Sequence, residues 1–196
     1  HTSMPPDNGP ALAAANDDYS AAGLTTSLLR FDAVAGTTYY IATDGKAGAQ
    51  GNLVLRAFPE LANDRFTTRT PIAGAPLAID LPDVSYATRE TGEPNHGGFG
   101  GRFSLWYAWT APATGAYQFD TAGSNAVVSL ALYTGADLAS LVPAGAAYLN
   151  GGFGTSRVIL QATAGTTYVV AIDSPDAQFG PAKLNIKSIV LAPNDA

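Results

Sequence analysis

Alternation of apolar and polar positions, with almost no helical periodicity, runs through this chain. Leu29, Phe31 and Ala33 alternate with Arg30 and Asp32, the period of two that marks a strand with one buried face. Alternation or a short apolar run predicts further strands at Pro76 to Leu81, Phe103 to Thr110, Ala116 to Thr121, Val127 to Tyr133 and Lys183 to Leu191. Turn residues separate them at Ala113-Thr114-Gly115, Gly123-Ser124-Asn125, Thr134-Gly135-Ala136 and Asn150-Gly151-Gly152. A single helical turn fits around Asp137 to Leu141. Many short strands with regular turns predict an all-β antiparallel sandwich or barrel.

The pattern repeats. Ser27 to Tyr39 returns as Ser156 to Tyr168, both copies carrying Ala-Gly-Thr-Thr-Tyr. The register holds without a gap through Asp44 against Asp173, Gly51 against Gly180 and Leu55 against Leu184, a constant offset of 129 residues. Each copy reads as strand, turn, strand, glycine-rich loop, strand. A domain-sized unit thus occurs whole near residues 60 to 191, preceded at 5 to 58 by the closing strands of another. A three-strand sheet left alone exposes its edges and half a core. Residues 5 to 58 are therefore expected to dock onto the complete unit or to pair with another chain.

Composition narrows the function. Of 196 residues, 46% are hydrophobic and 13% charged, enough apolar material for a core without membrane character. Cysteine is absent, which removes disulfide scaffolds and thiolate metal sites. A net charge of -6, with lysine only at Lys46, Lys183 and Lys187, argues against a nucleic-acid partner. No apolar run approaches the roughly 20 residues of a membrane helix. His1 to Met4 lack the features of a signal peptide and read as an expression remnant ahead of Pro5.

Ala87-Thr88-Arg89-Glu90-Thr91-Gly92-Glu93-Pro94-Asn95-His96, followed by Ser104-Leu105-Trp106-Tyr107-Ala108-Trp109-Thr110 and its Ala-Pro-Ala-Thr-Gly turn, resembles the bacterial pre-peptidase C-terminal-like repeat. Asn63-Asp64-Arg65-Phe66, Leu130 to Gly135 and Ala164 to Tyr168 extend the resemblance over nearly all of residues 60 to 190, and Asn16-Asp17-Asp18 extends it in part to 11 to 58. The resemblance implies a jelly-roll-like β-sandwich, found in tandem in large secreted or surface bacterial proteins and appended to extracellular hydrolases. It implies a non-catalytic role in adhesion, glycan or protein binding, spacing, or secretion and maturation. Some relatives bind calcium. The complete unit departs from the pattern at Asn150-Gly151-Gly152, where carboxylates are missing.

Candidate chemistry is sparse. Nucleophilic catalysis needs a positioned base, and the histidines are His1 and His96. No Gly-x-Ser-x-Gly elbow or His-Glu-x-x-His pair occurs, and the glycine run from Gly97 to Gly101 lacks a phosphate-loop lysine. Asn16, Asp17, Asp18, Glu90 and Glu93 supply the oxygen donors that calcium prefers, against the alternative that they hydrogen-bond their own turns. Calcium is the one cofactor candidate, and the fold requires none. For a glycan or protein ligand the candidates are Tyr86, His96, Phe99, Trp106, Trp109 and Phe153. Trp106 and Trp109 differ by three and point to opposite faces of a strand, so one belongs to the core. The other is a stacking platform, or packs under whatever covers the outer face.

The expectation is a non-enzymatic extracellular binding, adhesion or spacer module. Its alternative is an accessory domain of a secreted hydrolase.

Overall fold

The computed structural model describes residues 12–16, 27, 29–98, 103–125, 127–147, 155–174 and 181–191. Contacts divide the chain into two units, His1–Ala57 and Phe58–Ala196.

Among its described residues the larger unit holds nine strands: β1 (Thr70–Ala73), β2 (Leu77–Leu81), β3 (Phe103–Thr110), β4 (Gly115–Asp120), β5 (Ser129–Thr134), β6 (Val142–Ala147), β7 (Arg157–Ala162), β8 (Thr167–Ser174) and β9 (Ala182–Ile189). They form a five-stranded sheet, β1-β3-β8-β5-β6, and a four-stranded sheet, β2-β9-β4-β7. All pairs are antiparallel except β1 with β3. Counting β2 to β9 as one to eight, the sheets read 2-7-4-5 and 1-8-3-6, the strand order of a jelly roll, with β1 added at an edge.

Between the sheets lies the main core, where Leu105, Trp109, Phe119, Leu130, Ile172 and Leu184 are fully buried. Each such side chain contributes about 1.5–3 kcal/mol of burial. Trp109 packs edge-on against Tyr117 and Phe119 at ring distances of 4.9 and 5.1 Å. Its indole N–H donates to the Gly74 carbonyl at 3.0 Å, so the polar edge of this large ring is satisfied inside the core.

Two strands escape the sequence pattern. β1 contains Pro71 and β6 contains Pro143 and Gly145. Both lie at edges of the five-stranded sheet, where a residue without an N–H can leave its outward side unpaired. Gly145 is dictated by packing, because a Cβ there would sit 2.8 Å from Val158 Cγ1. The helical turn expected near Asp137 is a 3-10 turn, Leu138–Ser140, capped by the Asp137 carboxylate accepting from Ser140 N–H at 2.9 Å.

In the smaller unit the strands expected after Ser27 are not formed among the described residues. Its described residues from 29 to 57 contain no strand, yet the repeated turn is formed. Thr37 N–H donates to Val34 O at 3.1 Å, as Thr166 N–H does to Thr163 O at 3.1 Å. Gly36 and Gly165 both take positive φ, 80° and 75°, which glycine adopts without Cβ strain. A turn needs only its own residues, whereas a strand needs a partner.

Candidate functional site

Strand parity places Ser104, Trp106, Ala131, Tyr133, Ala171 and Asp173 on the outer face of the five-stranded sheet. Ser104 and Ser129 both register against Asp173, and Trp106 and Ala131 against Ala171. The alanines leave depth over the sheet, and the segments 60–69 and 87–98 fill it. Phe66 meets Trp106 edge-on at 5.2 Å, and the His96 ring stands against Trp106 at 5.0 Å and Tyr133 at 5.6 Å.

Beneath this cover lies a cluster of buried polar groups. Asp64 accepts from Thr88 N–H and, at 3.1 Å, from its hydroxyl. Glu90 accepts from Phe66 N–H at 2.6 Å. Glu93 accepts from Glu90 N–H at 2.8 Å, and its oxygens lie 2.8 and 3.0 Å from Ser104 Oγ, whose proton the Thr88 carbonyl also approaches at 3.0 Å. Asp173 accepts from Phe103 N–H at 3.2 Å. His96 Nδ1 is 2.8 Å from the Tyr133 hydroxyl, while its Nε2 is buried without a hydrogen-bond partner, 3.6 Å from Glu93 Oε2. Trp106 Nε1 is likewise buried and unpartnered.

Burial moves the titration of two groups in this cluster, Asp173 and Tyr133. Burial above all, with repulsion from Glu93, pushes Asp173 up to about 6, while His96, Arg89 and the Phe103 N–H pull against it. Burial and the carboxylates of Asp173 and Glu93 push Tyr133 up to about 12. Histidine, serine and carboxylates thus stand together, but not as a nucleophile with its base. Ser104 donates into Glu93, and the unpartnered nitrogen of His96 shows that no serine hydroxyl is held against it. His96 and Ser104 are at most 1% exposed.

The candidate residues therefore separate. Trp109 faces the inter-sheet core and Trp106 the covered outer face, and both are 0% exposed. Of the two alternatives for the second indole the structure takes the covered one: the segments carrying Phe66 and His96 close over Trp106, which offers no exposed platform. His96 is equally buried. Tyr86 is half-buried with its ring 4.5 Å from that of Phe58. Glu90 and Glu93 secure the turn and the start of β3 through the bonds above, while Asn16 is exposed in the smaller unit. Among the described residues no three acidic or histidine side chains converge on one point as a metal site would require. Phe99, Phe153, Asp17 and Asp18 lie outside the described residues.

Sequence reasoning singled out His96, Glu90 and Glu93 but missed Asp64, Thr88, Ser104, Tyr133 and Asp173 as their partners. One signal was present: an aspartate recurs at 44 and 173, in an otherwise apolar strand.

No helix among the described residues is long and apolar enough to cross a membrane. No family model matches the chain, and no curated protein matches it. Among solved structures, it is similar to the pre-peptidase C-terminal domain of a collagenase from Bacillus anthracis. The two share 15% identity with a TM-score of 0.42, over 67% of this chain and 100% of that domain.

Proposed function

We propose that this chain is a non-catalytic module of a larger secreted or surface bacterial protein, working through its surface as a binding or spacing unit. The observation that carries this reading is the state of the histidine–serine–carboxylate cluster on the outer face of the five-stranded sheet. The cluster is buried, and its serine donates to the Glu93 carboxylate and not to the histidine. Such a cluster holds a loop onto a sheet and gives a substrate no access. An accessory domain of a secreted hydrolase is the form of this role that the motif resemblance implies.

Incubation with chromogenic ester, peptide and glycoside substrates is expected to give no turnover above buffer. Turnover abolished by S104A or H96A in a folded variant would overturn the reading. Immobilised on a glycan and matrix-protein array, a binding module saturates with a defined Kd, whereas a spacer gives no saturable signal.

A further inference from the structure

We infer that residues 27–58 are a closing cassette that completes a second sandwich, its occupant being a preceding repeat with counterparts of β2 to β5. The ungapped offset of 129 residues assigns a counterpart to each position of the cassette. In the complete unit those counterparts are β7, β8 and β9.

These three strands never pair with one another. β8 lies between β3 and β5, β9 between β2 and β4, and β7 beside β4. A segment built like them cannot make a sheet from its own residues, and the hydrogen bonds it needs come from four other strands. This accounts for the local structure: the turn is present, with Val34 N–H donating to the Tyr39 hydroxyl at 3.0 Å as Thr163 N–H donates to that of Tyr168 at 3.1 Å. The strands on either side of it are absent.

Exposure follows the same correspondence. Leu29, Phe31 and Ile41 are 43, 39 and 57% exposed, while their counterparts Val158, Leu160 and Val170 are 5, 4 and 0% exposed. Leu55 is exposed at 57% and its counterpart Leu184 is fully buried. Apolar side chains stand at each of these core positions of the cassette, so the sequence has kept the pattern of a buried face. What covers the buried counterparts is the inner face of β2 to β5, including Trp109, Phe119 and Leu130. The fitting partner is a stretch with the same alternation and the same strand order.

The test replaces residues 1–26 by a second copy of residues 58–155, placed directly before Ser27, and reads amide exchange by mass spectrometry. In the 196-residue chain by itself the amides of 40–42 and 53–55 are expected to exchange at unprotected rates. In the extended chain they are expected to slow by about a hundredfold or more, with a second cooperative transition. F31D/I41D in the extended chain is expected to abolish that protection while leaving the transition of residues 58–196 in place. A second variant guards against a mismatched added copy: residues 156–184 are replaced by residues 27–55 and compared with a scrambled insert. A cooperative melt with the native insert and none with the scramble supports the cassette. Protection of 27–58 in the monomeric 196-residue chain overturns the proposal, as does dimerisation of that chain with those amides protected. Failure of both engineered chains overturns it as well.

Discussion

His96 Nδ1 lies 2.8 Å from the hydroxyl of Tyr133, both of them buried on the outer face of the five-stranded sheet. The contact pins segment 87–98 to β5 across 37 residues of sequence. Y133F is expected to destabilise the unit by about 1–3 kcal/mol, because it leaves a buried nitrogen without its partner. H96A is expected to cost about 2–4 kcal/mol by opening a cavity between Trp106 and Tyr133. Urea denaturation measures both, and a Y133F midpoint equal to that of the natural chain would show that the contact carries no stability.

Asp173 gives stability a pH dependence of definite sign. Its folded value, near 6, is above the ordinary 3.8 of a carboxyl, so between about pH 4 and 6 the folded state holds more protons than the unfolded one. This group's contribution therefore falls as pH rises through that window and is flat above it. The stability of D173N relative to the natural chain is expected to rise by roughly 2–3 kcal/mol between pH 4 and 7. Denaturation curves at several pH values test this, and a constant difference would show an ordinary carboxyl.

Trp106 and Trp109 are both sealed from solvent. Tryptophan emission is expected to be blue-shifted in the folded chain, weakly quenched by acrylamide, and red-shifted on unfolding. W109A is expected to cost about 3–5 kcal/mol. Strong quenching of the folded chain would place an indole at the surface and restore it as a ligand platform.

The repeated turn separates local from tertiary stability. Y168F is expected to cost about 1 kcal/mol in the main transition by removing the acceptor of Thr163 N–H. Y39F removes the matching bond to Val34 and is expected to leave that transition unchanged. An equal effect of the two substitutions would show that both turns belong to one cooperative unit.

Glu90 and Glu93 already accept hydrogen bonds from Phe66, Glu90 and Ser104. Thermal melts with calcium and with EDTA are expected to superimpose. A rise with calcium that EDTA reverses, and that E93Q removes, would assign the ion to this turn.

The sequence by itself determined what depends on neighbours along the chain. The short apolar run from Phe103 to Thr110 marked β3 to the residue, because a strand buried on both faces reads as a continuous apolar stretch. The Ala-Gly-Thr-Thr-Tyr turn formed twice, since its glycine, its backbone bond and its tyrosine lie within six residues. Tertiary structure decided the rest. β1 and β6 contain prolines that argue against a strand, and only their edge positions permit them. Whether Trp106 would be a platform or packed under a cover stayed open, because nothing local says that Phe66 and His96 will close over it. Ser104 and Asp173 are 69 positions apart, and only the pairing of β3 with β8 sets them opposite each other. Residues 27–55 hold nearly the same pattern as 156–184, yet among the described residues the first copy yields a turn and no sheet while the second yields strands that pair with distant partners. Strands draw their hydrogen bonds and buried faces from distant segments, which an alternation pattern can require but cannot specify.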